Sequence, residues 1–419
     1  MTVLLPERWL QPLQLVQGHG IRLVRGEGGH VWDEDDREYL DFDTNGGVNV
    51  LGHAHPAVTA AITEQIQRVT SSQAGFDDDT REEFIEAVSL VVPEPLSHIS
   101  FANSGSEAVE EALKFARGAT GRSRFVAMQG AFHGMTFGAM AVGGDPRVHK
   151  SFAPMLGEVT HVPFNDVDAL LAALDKRVAA VILEPIQWDA GARVPAPEYL
   201  AEVANVCRKN GSLLIFDEVQ TALRSWPPLV GTAAGVVPDL ICFGPSIANG
   251  FPMGATAIAR DVARRIPRES PVSTVAGNPL ACAAGAATLR TIAEPNLRAR
   301  LAAIGDYLLS RLKALRISDI KEVRGHGLLI AIELHGSAHP VVDGLRRRGV
   351  LVTSGASGVV RMLPPVILER RQVDIVVESL AAAVLDARHA RRNRSRERQA
   401  EDVTLRGFPT RRASKSRPA

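Results

Sequence analysis

Between about Asp77 and Arg260, short apolar runs alternate with stretches whose apolar positions recur at helical spacing. The runs RFVAMQG, VAAVILEP and SLLIFDEV read as buried strands, and the alternation predicts repeated βα units forming a parallel sheet covered by helices. Residues 20–56 carry short strand-like pieces (RLVRGEGGHVWDEDDREYLDF) and then a Gly-rich loop ending in LGHAHP. A helical stretch near 278–316 leads into KEVRGHGLLIAIEL, another strand signal. No internal repeat is present.

The stretch HISFANSGSEAVEEALKFARGATG begins as a strand end and turns at Asn103, Ser104 and Gly105. Ala108, Val109, Ala112, Leu113 and Ala116 follow at helical spacing, so a helix is predicted from about Ser106. Ser104 and Glu107 have the spacing of a capping box, and Gly105 permits close backbone approach, so several free N–H groups point at one spot suited to a phosphate. A plain capped helix start would look the same. Two apolar runs end in acids, Glu184 in one and Asp217 with Glu218 in the other. Ligands of parallel sheets gather beyond the carboxyl ends of the strands, so these acids either face a ligand or cap the next helix.

Composition narrows the partners. The chain has 419 residues, 45% of them hydrophobic, and its 47 basic and 47 acidic residues cancel. That length predicts two or three domains, and the charge balance points to small molecules or another copy of the chain, with no nucleic acid and no membrane as partner. Cys207, Cys242 and Cys282 are odd in number and far apart, which argues against a disulfide framework or a zinc site, so no metal is expected. With neither a signal-peptide pattern nor an apolar run of membrane length, the sequence reads as cytoplasmic. From Ala387 onward it is rich in Arg and Ser with almost no large apolar residues, and reads as a disordered basic tail, 387–419.

Taken in order, LGHAHP, NSGSEA followed by RGATGR, FHG at 132–134, EP at 184–185, FDEVQTALR, FPMGA and STVAGNPLACAAG resemble the class III branch of the fold-type I pyridoxal-phosphate (PLP) aminotransferases. Among these the glutamate-1-semialdehyde aminomutase-like members look most similar, over roughly residues 14–385. The resemblance implies an α/β fold of the fold-type I PLP-transferase kind. A large domain (61–300) would hold a mostly parallel seven-stranded sheet, and a small α+β domain would be formed by an N-terminal segment (1–60) and a C-terminal one (301–386). It further implies that the backbone at Gly105 and Ser106 holds the cofactor phosphate and that Phe132 stacks on the pyridine ring. Asp217 would pair with the pyridine nitrogen and Val219 would pack on the ring's other face. Thr274 would reach the phosphate of a neighbouring subunit, giving a homodimer with shared sites, and Arg361 would meet a substrate carboxylate.

One position departs from the family pattern. Relatives read approximately GK-x-x-GGG-x-P-x-GA where this chain reads GPSIANGFPMGA, so Pro245 stands in the place of the lysine that carries the cofactor and moves its protons. General acid–base help of that kind is worth ~10²–10⁴-fold. The expectation is therefore a noncovalently held PLP or pyridoxamine phosphate (PMP), little ordinary transamination, and lysine-independent chemistry such as dehydration or elimination on a small specialised metabolite. His133 or Ser246 would serve as base there, and Asp217 as acid or base if the pocket works without the cofactor. Two other readings stay open: a cofactor-free enzyme reusing the pocket, and a catalytically silent binding protein or subunit. Ala248-Asn249-Gly250 and Trp188 also depart from the pattern, Trp188 either walling the substrate site or simply packing.

Overall fold

The computed structural model describes residue 13 and residues 20–73, 75–155, 157–270, 273–355 and 358–406. Its centre is a seven-stranded sheet. The strands lie side by side in the order His98–Ala102, Gly254–Ile258, Leu240–Phe243, Leu213–Asp217, Val178–Leu183, Arg124–Met128 and Glu158–Val162. Gly254–Ile258 runs antiparallel to both of its neighbours, and the remaining pairs are parallel. Val178–Leu183 is buried at every position, as a strand covered by helices on both faces requires. The three apolar runs singled out in the sequence are therefore adjacent strands of one sheet, and their carboxyl ends share one rim.

The helix Gly105–Thr120 packs its Ala108, Ala112 and Ala116 side against this sheet. Ser104 caps it by accepting from Glu107 N at 3.2 Å, and Gly121, at φ 67°, ends it in the left-handed conformation. Glu107 returns the favour one residue upstream of the usual capping-box partner, its Oε2 accepting from Asn103 N at 2.8 Å.

Within this helix Glu111 is buried and its Oε2 lacks a partner; burial pushes its pKa up to about 7. A carboxyl whose folded pKa lies above its unfolded value favours folding below the unfolded pKa and loses that contribution as pH rises through the folded one. Relative to Glu111→Gln, the native chain is thus expected to lose about 3 kcal/mol of stability as pH rises from about 4.5 to above 7. Urea unfolding of both proteins at pH 5 and pH 8 checks it, and an unchanged difference would refute it.

The two ends of the chain build smaller sheets together. Leu23–Glu27, His30–Asp33 and Glu38–Asp41 form an antiparallel set whose last strand pairs in parallel with Val350–Leu351. Ile320–His326, Leu329–Leu334, Val359–Met362 and Thr353–Ser354 form a second sheet. The helical stretch near 278–316 is two helices, Pro279–Ile292 and Pro295–Lys313.

The expectation of a disordered tail from Ala387 needs correction. The helix beginning at Arg370 continues to Arg406, and residues 407–419 lie outside the described residues. Val373, Val376, Val377, Leu380 and Val384 anchor its first half in the core. Arg388 then donates to Asp319 Oδ2 at 2.5 Å, and Arg391 also pairs with Asp319, so the basic residues are held by a carboxylate that composition alone does not reveal. No helix among the described residues is long and apolar enough to cross a membrane.

Candidate functional site

Asp217 ends its strand at the rim, buried, with both oxygens engaged. Oδ2 accepts from His133 Nδ1 at 2.7 Å and Oδ1 from Val219 N at 3.1 Å. His133 is thereby fixed with its ring against Asp217, while its buried Nε2 has no hydrogen-bond partner among the described residues. Its neighbour in sequence, Phe132, is 45% exposed.

Val219 fits between two glycines. A Cβ on Gly105 would come within 2.8 Å of Val219 Cγ1, and one on Gly244 within 2.6 Å. Neither position tolerates a larger residue without moving Val219, so the start of the Gly105–Thr120 helix, Val219 and the turn at Gly244 are mutually set. Ser106 Oγ accepts from Met135 N at 3.0 Å, which ties the loop after Phe132 to that helix start. Asn103 Nδ2 donates to Ser273 Oγ at 2.9 Å, placing the segment of the exposed Thr274 at the same helix terminus.

A helix start, a buried carboxylate fixed by a histidine, and an exposed aromatic side chain next in sequence to that histidine are features that suit a phosphorylated pyridine ring. Gly105, Ser106, Phe132, Asp217 and Val219 are connected through these contacts.

The loop after Glu184 carries Trp188 and Asp189. Trp188 is buried, and the guanidinium of Arg361 lies 5.1 Å from its ring centroid. Arg361 also pairs with Asp189, and its buried Nε has no hydrogen-bond partner among the described residues. Trp188 and Arg361, both singled out in the sequence, are thus in contact. Asp189 was not singled out by sequence reasoning, although its place directly after Trp188 was a signal.

Glu184 and Glu218 do not act as rim acids. Glu184 Oε1 accepts from Phe132 N at 2.9 Å and its Oε2 from Trp188 N at 3.0 Å. Glu218 turns inward, accepting from Gly231 N at 2.8 Å and Val230 N at 3.2 Å, and burial pushes its pKa up to about 7.

Pro245 opens a 3₁₀ turn, Pro245–Ala248, next to Val219's pocket, and Ser246 Oγ is buried with no hydrogen-bond partner among the described residues. Asn249, at φ 49°, accepts from Leu51 N at 2.7 Å and donates to Gly52 O at 2.9 Å, so the departure at 248–250 fastens the N-terminal loop to the site.

Sequence reasoning also passed over Arg224, quoted only as the end of FDEVQTALR. It is buried, contacts Gly47 O, and has no hydrogen-bond partner for Nε or Nη1 among the described residues; burial lowers its pKa to about 10. A Cβ on Gly47, whose φ is 90°, would lie 2.6 Å from its Nη2 and 3.2 Å from Gln220 Oε1, so only glycine fits there.

The family model for class III aminotransferases matches residues 15–384. The [LysW]-aminoadipate semialdehyde transaminase of Deinococcus radiodurans is 36% identical over 94% of this chain and 93% of its own length. The acetylornithine aminotransferase of Methanosarcina mazei is 39% identical over 86% and 91%. Among solved structures, the ornithine aminotransferase of Toxoplasma gondii superposes with a TM-score of 0.85 at 29% identity, covering 90% of this chain and 93% of its own.

These relatives correct two expectations. The nearer likeness is to acetylornithine and [LysW]-aminoadipate semialdehyde transaminases, and an aminomutase-like assignment is not upheld. Their names also point to transamination, which overturns the expectation of dehydration or elimination and, with it, the cofactor-free and silent alternatives. With the family model covering most of its length and the fold matching throughout, the chain belongs to the class III aminotransferases, a PLP/PMP-using family of the fold-type I architecture.

Proposed function

We propose that this chain transfers an amino group between PLP or PMP and a small carboxylate-bearing amine or semialdehyde of the kind named in its relatives, N-acetylornithine being the first candidate. The observation that carries the reading is the joined set of Gly105, Ser106, Phe132, His133, Asp217 and Val219 beside Trp188 and Arg361. When bound, the cofactor supplies an electron-accepting ring and a transferable amino group.

The protein's residues divide the remaining work. The backbone at Gly105 and Ser106 holds the phosphate, and Phe132 and Val219 take the two faces of the ring. Asp217, oriented by His133, keeps a proton at the ring nitrogen. Arg361 orients a substrate carboxylate, and Trp188 bounds the space beside it. Pro245 has no amine, so the cofactor is held noncovalently, and proton movement falls to another group. Ser246 Oγ and His133 Nε2, both buried and without a hydrogen-bond partner among the described residues, are the candidates.

We further infer a homodimer with shared sites. Phe132, Met135, Phe137 and Val275 are exposed apolar residues around the site, 45%, 71%, 50% and 49% accessible, and Thr274 is exposed beside them. A partner subunit covering this face would bury them and bring its own Thr274 to the phosphate.

The test is a single half-reaction. The protein is loaded with PMP, N-acetylglutamate semialdehyde is added, and formation of PLP and N-acetylornithine is followed together. Equal amounts of both products are expected; no PLP and no amine from a folded, PMP-loaded protein would reject the proposal. Arg361→Gln is expected to raise the KM for the carboxylate substrate by about 10–100-fold, from the loss of a charge-assisted pair. An unchanged KM in that variant would remove Arg361 from the substrate site.

A further inference from the structure

We infer that Glu184 is a positioning residue: one buried side chain fixes both the aromatic face offered to the cofactor and the Trp188–Asp189 arm that walls the substrate. The cofactor half of this statement rests on the function proposed above; the hydrogen bonds do not.

Glu184 directly follows a strand buried at every position, so its backbone is set by the sheet. Its side chain is 4% exposed, and each carboxylate oxygen accepts from a different loop. Oε1 takes Phe132 N at 2.9 Å, and Oε2 takes Trp188 N at 3.0 Å. Each of those residues precedes a second fastening point. His133, after Phe132, bonds Asp217 at 2.7 Å, and Asp189, after Trp188, pairs with Arg361. The chain Asp217–His133–Phe132–Glu184–Trp188–Asp189–Arg361 therefore runs unbroken across the site, with Glu184 in the middle.

No other side chain type reproduces the arrangement. Glutamine offers one acceptor and would turn an N–H₂ toward the second donor, and aspartate is one methylene shorter and cannot span both loops from the same backbone position. Alanine leaves two N–H groups in a buried region without acceptors, and an unmet donor of this kind is expensive. Burial, with the nearby Asp217 charge second, pushes the Glu184 carboxyl well above the ordinary carboxylate range, while the two N–H donors pull it back down.

The experiment compares Glu184→Ala and Glu184→Gln with the native chain and with Leu308→Ala, a core variant remote from the site that should also lower the melting temperature. Trp188 emission, isolated by subtracting the Trp188→Phe spectrum in each background, is read in cofactor-free protein. PLP affinity and the circular dichroism induced in the bound cofactor are read separately. The expected result is a red-shifted Trp188 emission, a weakened induced band and about tenfold weaker PLP binding in Glu184→Ala, with Glu184→Gln intermediate. Leu308→Ala should change the melting temperature alone.

Native Trp188 emission and a native induced band in both Glu184 variants would overturn the inference. If Glu184→Ala does not fold, Glu184→Gln carries the comparison. If the native chain takes up no PLP, the proposed function falls, and Trp188 emission, which needs no cofactor, still decides whether Glu184 holds the arm.

Discussion

Asp217→Ala is expected to weaken PLP and PMP binding by about 10–100-fold and to lower the rate of amino transfer by a further ~10²–10³-fold. The first figure reflects a charge-assisted hydrogen bond to the ring nitrogen, and the second the loss of a fixed negative charge where positive charge must be held while the ring draws electrons. Asp217 suits this role because it cannot wander: His133 Nδ1 and Val219 N hold its two oxygens in a buried setting. The variant also leaves His133 without a partner on either ring nitrogen, so a modest fall in melting temperature should accompany the functional loss. Asp217→Asn separates the two effects, since it keeps the volume and removes the charge. Equilibrium dialysis with each cofactor form, together with the half-reaction rate, measures both. Native affinity and native rate in Asp217→Ala would mean that the carboxylate faces no cofactor.

The large sheet and its rim were legible in the sequence for a simple reason. Strands covered on both faces must be continuously apolar, so RFVAM, VAAVIL and LLIFD declare themselves, and the acid or turn that follows each marks the carboxyl end. The helix after Asn103 was equally readable, because capping residues and apolar spacing are local signals. What lay beyond reach were contacts between segments distant in sequence. Glu184 looks like another rim acid until two loops, one of them 52 positions away, are seen to donate to it. Arg361 and Asp189 lie 172 positions apart, and nothing local announces their pairing. The tail failed for the opposite reason: its composition is that of a disordered segment, but the apolar start of the helix and Asp319 organise its first turns.

Reading the activity from one substituted position went further than that position warranted. Pro245 stands where the family resemblance expects an amine, but the packing of Val219 between Gly105 and Gly244 and the hydrogen bonds of Asp217 are intact beside it, and these are the parts proposed to bind the cofactor. A group-transfer enzyme loses rate when a proton carrier is missing, while the chemistry that its cofactor favours is set by the ring and its surroundings. Dehydration was thus a larger departure than the substitution required, and the transaminases among the relatives favour the smaller one.

Pro245→Lys is accordingly expected to add a function without rebuilding the pocket. Pro245 contributes no N–H, and its carbonyl accepts from Gly250 N at 2.9 Å, a bond that lysine keeps. The turn Pro245–Ala248 has a backbone that any residue adopts, so the change should cost only about 0.4–1 kcal/mol, through the freer unfolded chain. With PLP added, borohydride should then leave a cofactor mass on the variant that the native protein lacks, and peptide mapping should place it at position 245. Amino transfer should speed up by ~10²–10⁴-fold, the usual worth of a positioned proton carrier. Trapping without acceleration would show that a lysine here reaches the cofactor while another group already moves the proton, which would turn attention to Ser246 and His133. A folded Pro245→Lys protein that binds PLP but neither traps it nor turns over faster would mean that residue 245 does not face the cofactor, and the noncovalent reading of the native site would fall with it.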